Sequence, residues 1–153
     1  MRGKKVRFLI FVVLSVATLL FIWSNSMRNA SSSTEQSGRV AAFLAEHFDL
    51  SRPVVGFFYR NLRKVAHFSE FAMLGFFLGG AAFVRADRKW LSPLCGTGMA
   101  AVAAAIDEGI QFFVPGRYAS VWDVCLDTTG AFCGTLAVFF CGMVGIALCR
   151  RKK

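Results

Sequence analysis

The side chains that could do chemistry are concentrated in one short stretch, residues 106–127. It reads IDEGIQFFVPGRYASVWDVCLD, between long apolar segments. Ionised groups are costly in hydrocarbon, so they pair with one another or face a wet cavity, and they are candidates for function. Carboxylates held in this way can bind amines or metal ions, or transfer protons. The polar residues of this stretch are Asp107, Glu108, Gln111, Arg117, Asp123 and Asp127.

A second polar group precedes an apolar segment that begins near residue 65. Arg63, His67 and Glu70 follow one another at i, i+4 and i+7, with Lys64 beside them. This spacing places the three residues on one stripe of a helix. We therefore expect the stripe to face the acids of residues 106–127, with Arg63 and His67 as their partners.

The elements that must position these groups are membrane helices. The chain of 153 residues is 56% hydrophobic, with 17 Phe and a mean hydropathy of +0.53, which is too apolar for an ordinary soluble domain. The formal net charge of +9 is concentrated at the termini and in short connections. Charge placed there is typical of membrane topology and contact with anionic lipids, so we expect membrane lipids and no nucleic acid as partners.

The apolar segments predict one all-α, polytopic membrane domain over residues 1–153 with four transmembrane helices. We place the helices at about 8–24, 65–84, 90–113 and 122–149. The first could instead be a cleaved signal peptide, since small residues follow its apolar run. Residues 25–62 are predicted to be an extracytoplasmic loop. That loop would carry a short amphipathic helix at 38–48 and a second amphipathic segment from Pro53.

Basic residues predict the orientation. They cluster in residues 1–7, 85–89 and 150–153, which the positive-inside rule places in the cytoplasm with both termini. The polar start of helix two, the polar end of helix three and the polar start of helix four then meet at the outer side.

Small residues continue the acidic faces into the membrane. They are Ala104 and Ala100 on helix three, Gly130 and Gly134 on helix four, and Gly75 and Gly79 on helix two. Small residues let membrane helices approach closely. We therefore expect the acidic faces to be packing faces, with the carboxylates inside the bundle.

Two other interpretations of the polar groups remain open. The acids and bases could form a static network that holds the bundle together without binding a ligand. A divalent metal is possible from His67, Glu70, Asp107 and Glu108, although we assign no cofactor. The cysteines recur every eight residues from Cys125 to Cys149, which spirals them around a helix. We expect them to be small buried hydrophobes rather than metal ligands or disulfides.

Taken together, the segments resemble the VanZ-like family, named for a protein associated with reduced susceptibility to the glycopeptide teicoplanin. The resemblance covers nearly the whole chain and lies in three stretches: FIWSNS at the end of helix one, RKVAHFSEFAMLG at 63–75, and AAIDEGIQFFVPGRYASVWDVCLDTTGAFCG at 104–134. The family pattern usually has Asn near Asp127 and Tyr near Phe71. The resemblance implies a multi-pass protein of the bacterial cytoplasmic membrane. The resemblance also implies that ten polar residues of this chain match the polar positions of the family: Arg63, Lys64, His67, Glu70, Asp107, Glu108, Gln111, Arg117, Asp123 and Asp127.

The leading functional hypothesis is an outward polar pocket formed by these ten residues. It would bind a cell-wall precursor, another envelope component or a glycopeptide, and would lower glycopeptide susceptibility. The rival is an integral-membrane hydrolase or transferase, possibly metal-dependent, that acts on a lipid-linked or peptide substrate. No recognisable nucleophile, zinc-protease or phosphate-loop motif supports catalysis. A proton-coupled carrier is disfavoured because the cytoplasmic halves of helices two to four show no buried acid.

Overall fold

The computed structural model describes residues 2–27, 35, 38–40, 42, 43, 46, 47 and 52–151, with the backbone alone for 52–60. No strand occurs within these ranges, which confirms the all-α prediction. The described residues form four long helices: α1 Arg2–Ser26, α2 Arg52–Arg85, α3 Ser92–Phe112 and α4 Val121–Arg151. The predicted amphipathic helix at 38–48 falls largely outside the described residues, although those described there are helical.

Helix α2 begins well before the apolar segment that predicted it. It starts at Arg52 and continues without interruption to Arg85. Residues 52–62, which we had assigned to the extracytoplasmic loop, are therefore its first turns. Pro53 is compatible with this start, because proline in the first turn of a helix loses no hydrogen bond.

Two short connections join the later helices. A 3₁₀ turn at Lys89–Leu91 leads into α3, whose first turn contains Pro93. The Lys89 ammonium donates hydrogen bonds to the carbonyl oxygens of Phe83 and Ala86, at 2.6 and 2.7 Å, where α2 ends. Between α3 and α4 the backbone turns at Gly116, whose φ of 77° favours glycine. The predicted break after helix three is therefore present.

Three helical segments are long and apolar enough to cross a membrane: Arg2–Ser26, Asn61–Arg85 and Val121–Arg151. Helix α3, with 21 residues, is not among them. Apolar side chains such as Leu20, Phe140 and Val144 are 61, 60 and 57% exposed on the outside of the bundle. An apolar exterior of this kind suits lipid.

The five cysteines lie on this exterior. Each is a free thiol and exposed on α3 or α4. Our expectation that they are buried is wrong, because all five are exposed. The four on α4 recur every eight residues and so lie on different sides of that helix.

Basic residues gather at one end of the bundle. The Arg85 guanidinium lies 5.2 Å from the centroid of the Phe8 ring, which brings the start of α1 to the end of α2. Arg7 and Arg150 border a common groove at the same end. The polar residues of α2, the polar end of α3 and the polar start of α4 lie together at the opposite end.

Helices α2, α3 and α4 pack through small residues, as the sequence predicted. A Cβ atom added to Gly130 or Gly134 would overlap the backbone carbonyl oxygen of Phe68 or Ala72 on α2. On α2 itself, a Cβ atom at Gly75 would overlap the backbone of Ala131. Such close contacts fix how each helix is rotated about its axis, and so decide which polar side chains point inward.

This packing gives a direct test on α4. We expect Gly134→Ala to lower the free energy of unfolding by about 1–3 kcal/mol, because its methyl group meets backbone that cannot yield. The matched control is Gly145→Ala on the same helix, where an added Cβ has nothing within 4 Å. The control should leave stability unchanged or raise it. Unfolding in mixed detergent micelles, followed by circular dichroism, measures both; equal stability of the two variants would contradict this packing.

Candidate functional site

Asp107 on α3 is the centre of a buried polar network. Its side chain is fully buried. Its Oδ2 atom accepts a hydrogen bond of 2.9 Å from the hydroxyl of Ser26 and one of 2.8 Å from Nε2 of Gln111. Gln111 stands one helical turn after Asp107, so the two side chains share one face of α3. Helix α1 thus contributes to the site through its last residue.

Together, the residues of the predicted α2 stripe contact the three other long helices. Arg63 donates a hydrogen bond to Oε1 of Gln111 on α3. His67 faces α3 and α4, and Glu70 accepts a hydrogen bond of 3.2 Å from Asn25 on α1. The expected partnership with the acids holds for His67, whereas Arg63 contacts the amide of Gln111.

Asp127 on α4 and Asp107 flank the imidazole of His67. Nδ1 of His67 lies 3.6 Å from Oδ2 of Asp127 and 3.9 Å from Oδ2 of Asp107. Both separations exceed the 2.7–3.2 Å of an ordinary hydrogen bond. Asp127 is 1% exposed, and neither of its carboxylate oxygens has a hydrogen-bond partner among the described residues.

The turn between α3 and α4 carries the remaining buried charges. Arg117 is buried and donates a hydrogen bond of 3.2 Å to the backbone carbonyl of Asn25. Its Nε and Nη1 atoms have no partner in the described part of the chain. Burial lowers the pKa of the Arg117 guanidinium from its ordinary value, and the neighbouring Arg63 lowers it further. On α3, Glu108 accepts a hydrogen bond of 2.8 Å from the backbone N–H of Ser120.

A polar cavity of about 220 Å³ opens beside this network. Its walls come from α2, α3 and α4 and include both signs of charge. Seven of the ten predicted site residues line it, together with Leu126: Arg63, Lys64, His67, Glu108, Gln111, Asp123 and Asp127. The other three, Glu70, Asp107 and Arg117, belong to the surrounding network and do not line the cavity. The structure therefore brings all ten predicted positions to one end of the bundle.

Three contributors to the network were not predicted as site residues: Asn25, Ser26 and Ser120. The signal for the first two was the run FIWSNS, where polar side chains end an apolar helix on the same side as the acids. Ser120 takes part through its backbone N–H, so no property of its side chain could have identified it.

The residues arranged as metal ligands differ from the set considered in the sequence. His67, Asp107 and Asp127 each offer a ligand atom, and these atoms lie within 4.8 Å of one another. Glu70 and Glu108 instead accept hydrogen bonds from Asn25 and Ser120. The three grouped residues come from three helices.

Comparison with known proteins gives one match. A family model described as VanZ/LLP1 matches residues 8–142, which is most of the chain. The searches of curated proteins and of solved structures found no match.

The hydrogen bond between Ser26 and Asp107 can be tested with a double-mutant cycle. We expect Ser26→Ala and Asp107→Asn to be coupled by about 1–2 kcal/mol in the free energy of unfolding. The reason is that a hydrogen bond to a charged group stabilises a protein more than the average hydrogen bond between membrane helices does. Ser24→Ala is the matched control, since the hydroxyl of Ser24 is exposed and bonds only to the carbonyl of Phe21. The control should be additive with Asp107→Asn. Additivity in both cycles would contradict the hydrogen bond between Ser26 and Asp107.

Proposed function

The chain belongs to the VanZ/LLP1 family, and on that basis we propose that it is a multi-pass protein of the bacterial cytoplasmic membrane that modifies glycopeptide susceptibility. In this proposal, the polar cavity between α2, α3 and α4 faces outward. It binds a cell-wall precursor, another envelope component or the glycopeptide itself. The observation that carries the proposal is a cavity lined by both acidic and basic side chains at one end of an apolar bundle.

The proposed topology has four spans with both termini in the cytoplasm. Helix α3 supplies the fourth span, since 21 residues rise about 32 Å, close to the thickness of the hydrocarbon core. It runs beside α2 for that distance, from Gly96 packed against Gly79 to Gln111 bonded to Arg63. The basic end of the bundle is the cytoplasmic end under the positive-inside rule. The cavity then opens on the outer side.

The lining of the cavity indicates the chemistry of its ligand. Glu108, Asp123 and Asp127 offer carboxylates to amines or amides, while Arg63 and Lys64 suit a carboxylate or a phosphate. A peptide or lipopeptide head group carries both kinds of group. A ligand of that class would satisfy both signs of charge at once.

Unsatisfied groups support binding over a static network. A network that only holds helices together would be expected to pair its buried charges, because an unpaired buried charge is strongly destabilising. Among the described residues, however, the carboxylate oxygens of Asp127 and two nitrogen atoms of Arg117 have no hydrogen-bond partner. The Asp127 carboxylate lines the cavity and is available to a ligand.

The alternative function is an integral-membrane hydrolase or transferase that acts on a lipid-linked or peptide substrate. One observation favours it, namely the placement of His67, Asp107 and Asp127 as ligands for a metal ion. A metal bound there could activate water or polarise a substrate oxygen.

The topology can be tested by labelling introduced cysteines in a chain whose native cysteines are replaced by alanine. Tyr118→Cys probes the exposed α3–α4 connection and Asp87→Cys the exposed α2–α3 connection. We expect a membrane-impermeant maleimide to label Tyr118→Cys in intact cells, and Asp87→Cys only after permeabilisation. Equal labelling of both in intact cells would mean that α3 does not cross.

The function can be tested by teicoplanin susceptibility in a susceptible host. We expect the wild-type chain to raise the inhibitory concentration above that of the empty vector, and Asp107→Asn/Asp123→Asn to remove the effect at equal membrane abundance. The matched control is Glu35→Gln/Asp87→Asn, which removes two exposed acids outside the cavity. An unchanged phenotype in Asp107→Asn/Asp123→Asn, or no effect of the wild type, would refute the proposal.

A further inference from the structure

We infer that His67, Asp107 and Asp127 form a binding site for one divalent transition-metal ion beside the polar cavity. The inference does not depend on the proposed ligand or on glycopeptide susceptibility. It rests on the positions of three side chains from α2, α3 and α4 and on the groups around them.

The spacing of the three side chains suits an ion better than it suits direct hydrogen bonds. The Nδ1 atom of His67 lies 3.6 and 3.9 Å from carboxylate oxygens of Asp127 and Asp107, too far for hydrogen bonding. Ligands that bind an ion at 2.0–2.2 Å lie at most about 4.4 Å from one another. The three ligand atoms, within 4.8 Å of each other, need only small shifts to meet this limit.

Free lone pairs point to the same conclusion. Asp107 is fully buried, and its Oδ1 atom has no hydrogen-bond partner in the described part of the chain. The same is true of both oxygens of Asp127, which is 1% exposed. Oδ2 of Asp107 is already held by Ser26 and Gln111. Asp107 thus has Oδ2, the oxygen 3.9 Å from His67, fixed by hydrogen bonds, and Oδ1 left free for a metal.

The charge balance also favours a cation. Two buried carboxylates face one imidazole, which supplies at most a single positive charge. Arg63 donates to the amide of Gln111 and Arg117 to the backbone carbonyl of Asn25, rather than to either aspartate. A divalent ion would balance both carboxylates and leave the imidazole neutral, the form in which histidine binds metals.

The surroundings resemble the outer shell of a metal site. Ligating carboxylates in proteins are themselves hydrogen-bonded, which fixes their orientation. Asp107 is held in this way by Ser26 and Gln111, and Gln111 in turn by Arg63. The cavity, lined by His67 and Asp127, provides an entry path and room for further ligands. One nitrogen and two carboxylate oxygens favour Zn²⁺ or Mn²⁺ over Mg²⁺ or Ca²⁺.

The test is metal binding by the purified full-length protein in lipid nanodiscs. After treatment with a chelator, the protein is dialysed against Zn²⁺, Mn²⁺, Mg²⁺ or Ca²⁺, and bound metal is measured by mass spectrometry. We expect about one Zn²⁺ or Mn²⁺ per chain, also when the five exposed cysteines are replaced by alanine. Absence of stoichiometric Zn²⁺ and Mn²⁺, or loss of both with the cysteines, would overturn the inference.

Two isosteric variants on one helix locate the site. Asp127→Asn should weaken metal affinity by about tenfold or more. Asp123→Asn, four residues earlier on α4 and also lining the cavity, should retain it. Equal affinity in the two variants would overturn the inference.

A second measurement covers the case in which Asp127→Asn does not fold. The wild-type protein should melt at a higher temperature with Zn²⁺ or Mn²⁺ than with chelator, because a ligand of the folded state stabilises it. His67→Gln should lose this difference. No rise in the wild type, or the same rise in His67→Gln, would contradict metal binding at these residues. Since neither measurement involves an antibiotic, the outcome is independent of the susceptibility test.

Discussion

The structure depends on one constraint, the burial of the Asp107 carboxylate inside an apolar bundle. A fully buried carboxylate is tolerated only when other groups stabilise it or when it is neutralised. Its Oδ2 atom accepts hydrogen bonds from Ser26 at the end of α1 and from Gln111 on α3. His67 on α2 and Asp127 on α4 lie beside it. All four long helices therefore meet around one side chain.

Close helix packing makes this arrangement possible. Gly130 and Gly134 place α4 directly against carbonyl groups of α2, and Gly96 places α3 against Gly79. Because the helices touch at their backbones, the short side chains of Asp107 and Asp127 can reach the same imidazole. Bulkier residues at these glycines would separate the acids from His67. The small residues that pack the helices and the acids thus lie on the same helix faces, as expected where small residues bring membrane helices together.

Helical spacing was enough to predict that the polar residues lie together at one end of the bundle. It placed His67 on an inward stripe and Asp107 on the packing face of α3, and their proximity followed from the proposed antiparallel order of the helices. Helical spacing did not show which acid lies beside His67 together with Asp107. Both Glu108 and Asp127 were compatible with it. Adjacent residues on a helix are about 100° apart, so only one of Asp107 and Glu108 can face the imidazole. The rotation of α3 and α4 decides which, and that rotation depends on backbone contacts at glycines.

The contribution of α1 and the start of α2 were harder to predict for physical reasons. Serine at the end of an apolar run is equally compatible with a helix end, a loop or a cleavage point, so the run FIWSNS did not by itself identify Ser26 as a partner of Asp107. The start of α2 was predicted to be a separate amphipathic segment from Pro53 within the loop, yet it is continuous with the membrane helix, which begins at Arg52. Apolar content indicates which residues of a helix can lie in the membrane. The helix itself can extend beyond those residues.

The central claim is that the end of the bundle around Asp107 is a binding site rather than a closed network. The most direct measurement is an experimental structure of the protein extracted from native membranes with co-purified molecules retained. We predict density for a ligand or ion within reach of His67 and Asp127, in a cavity open to the outer side. A collapsed cavity in which these two residues hydrogen-bond directly, with no bound group, would contradict the account.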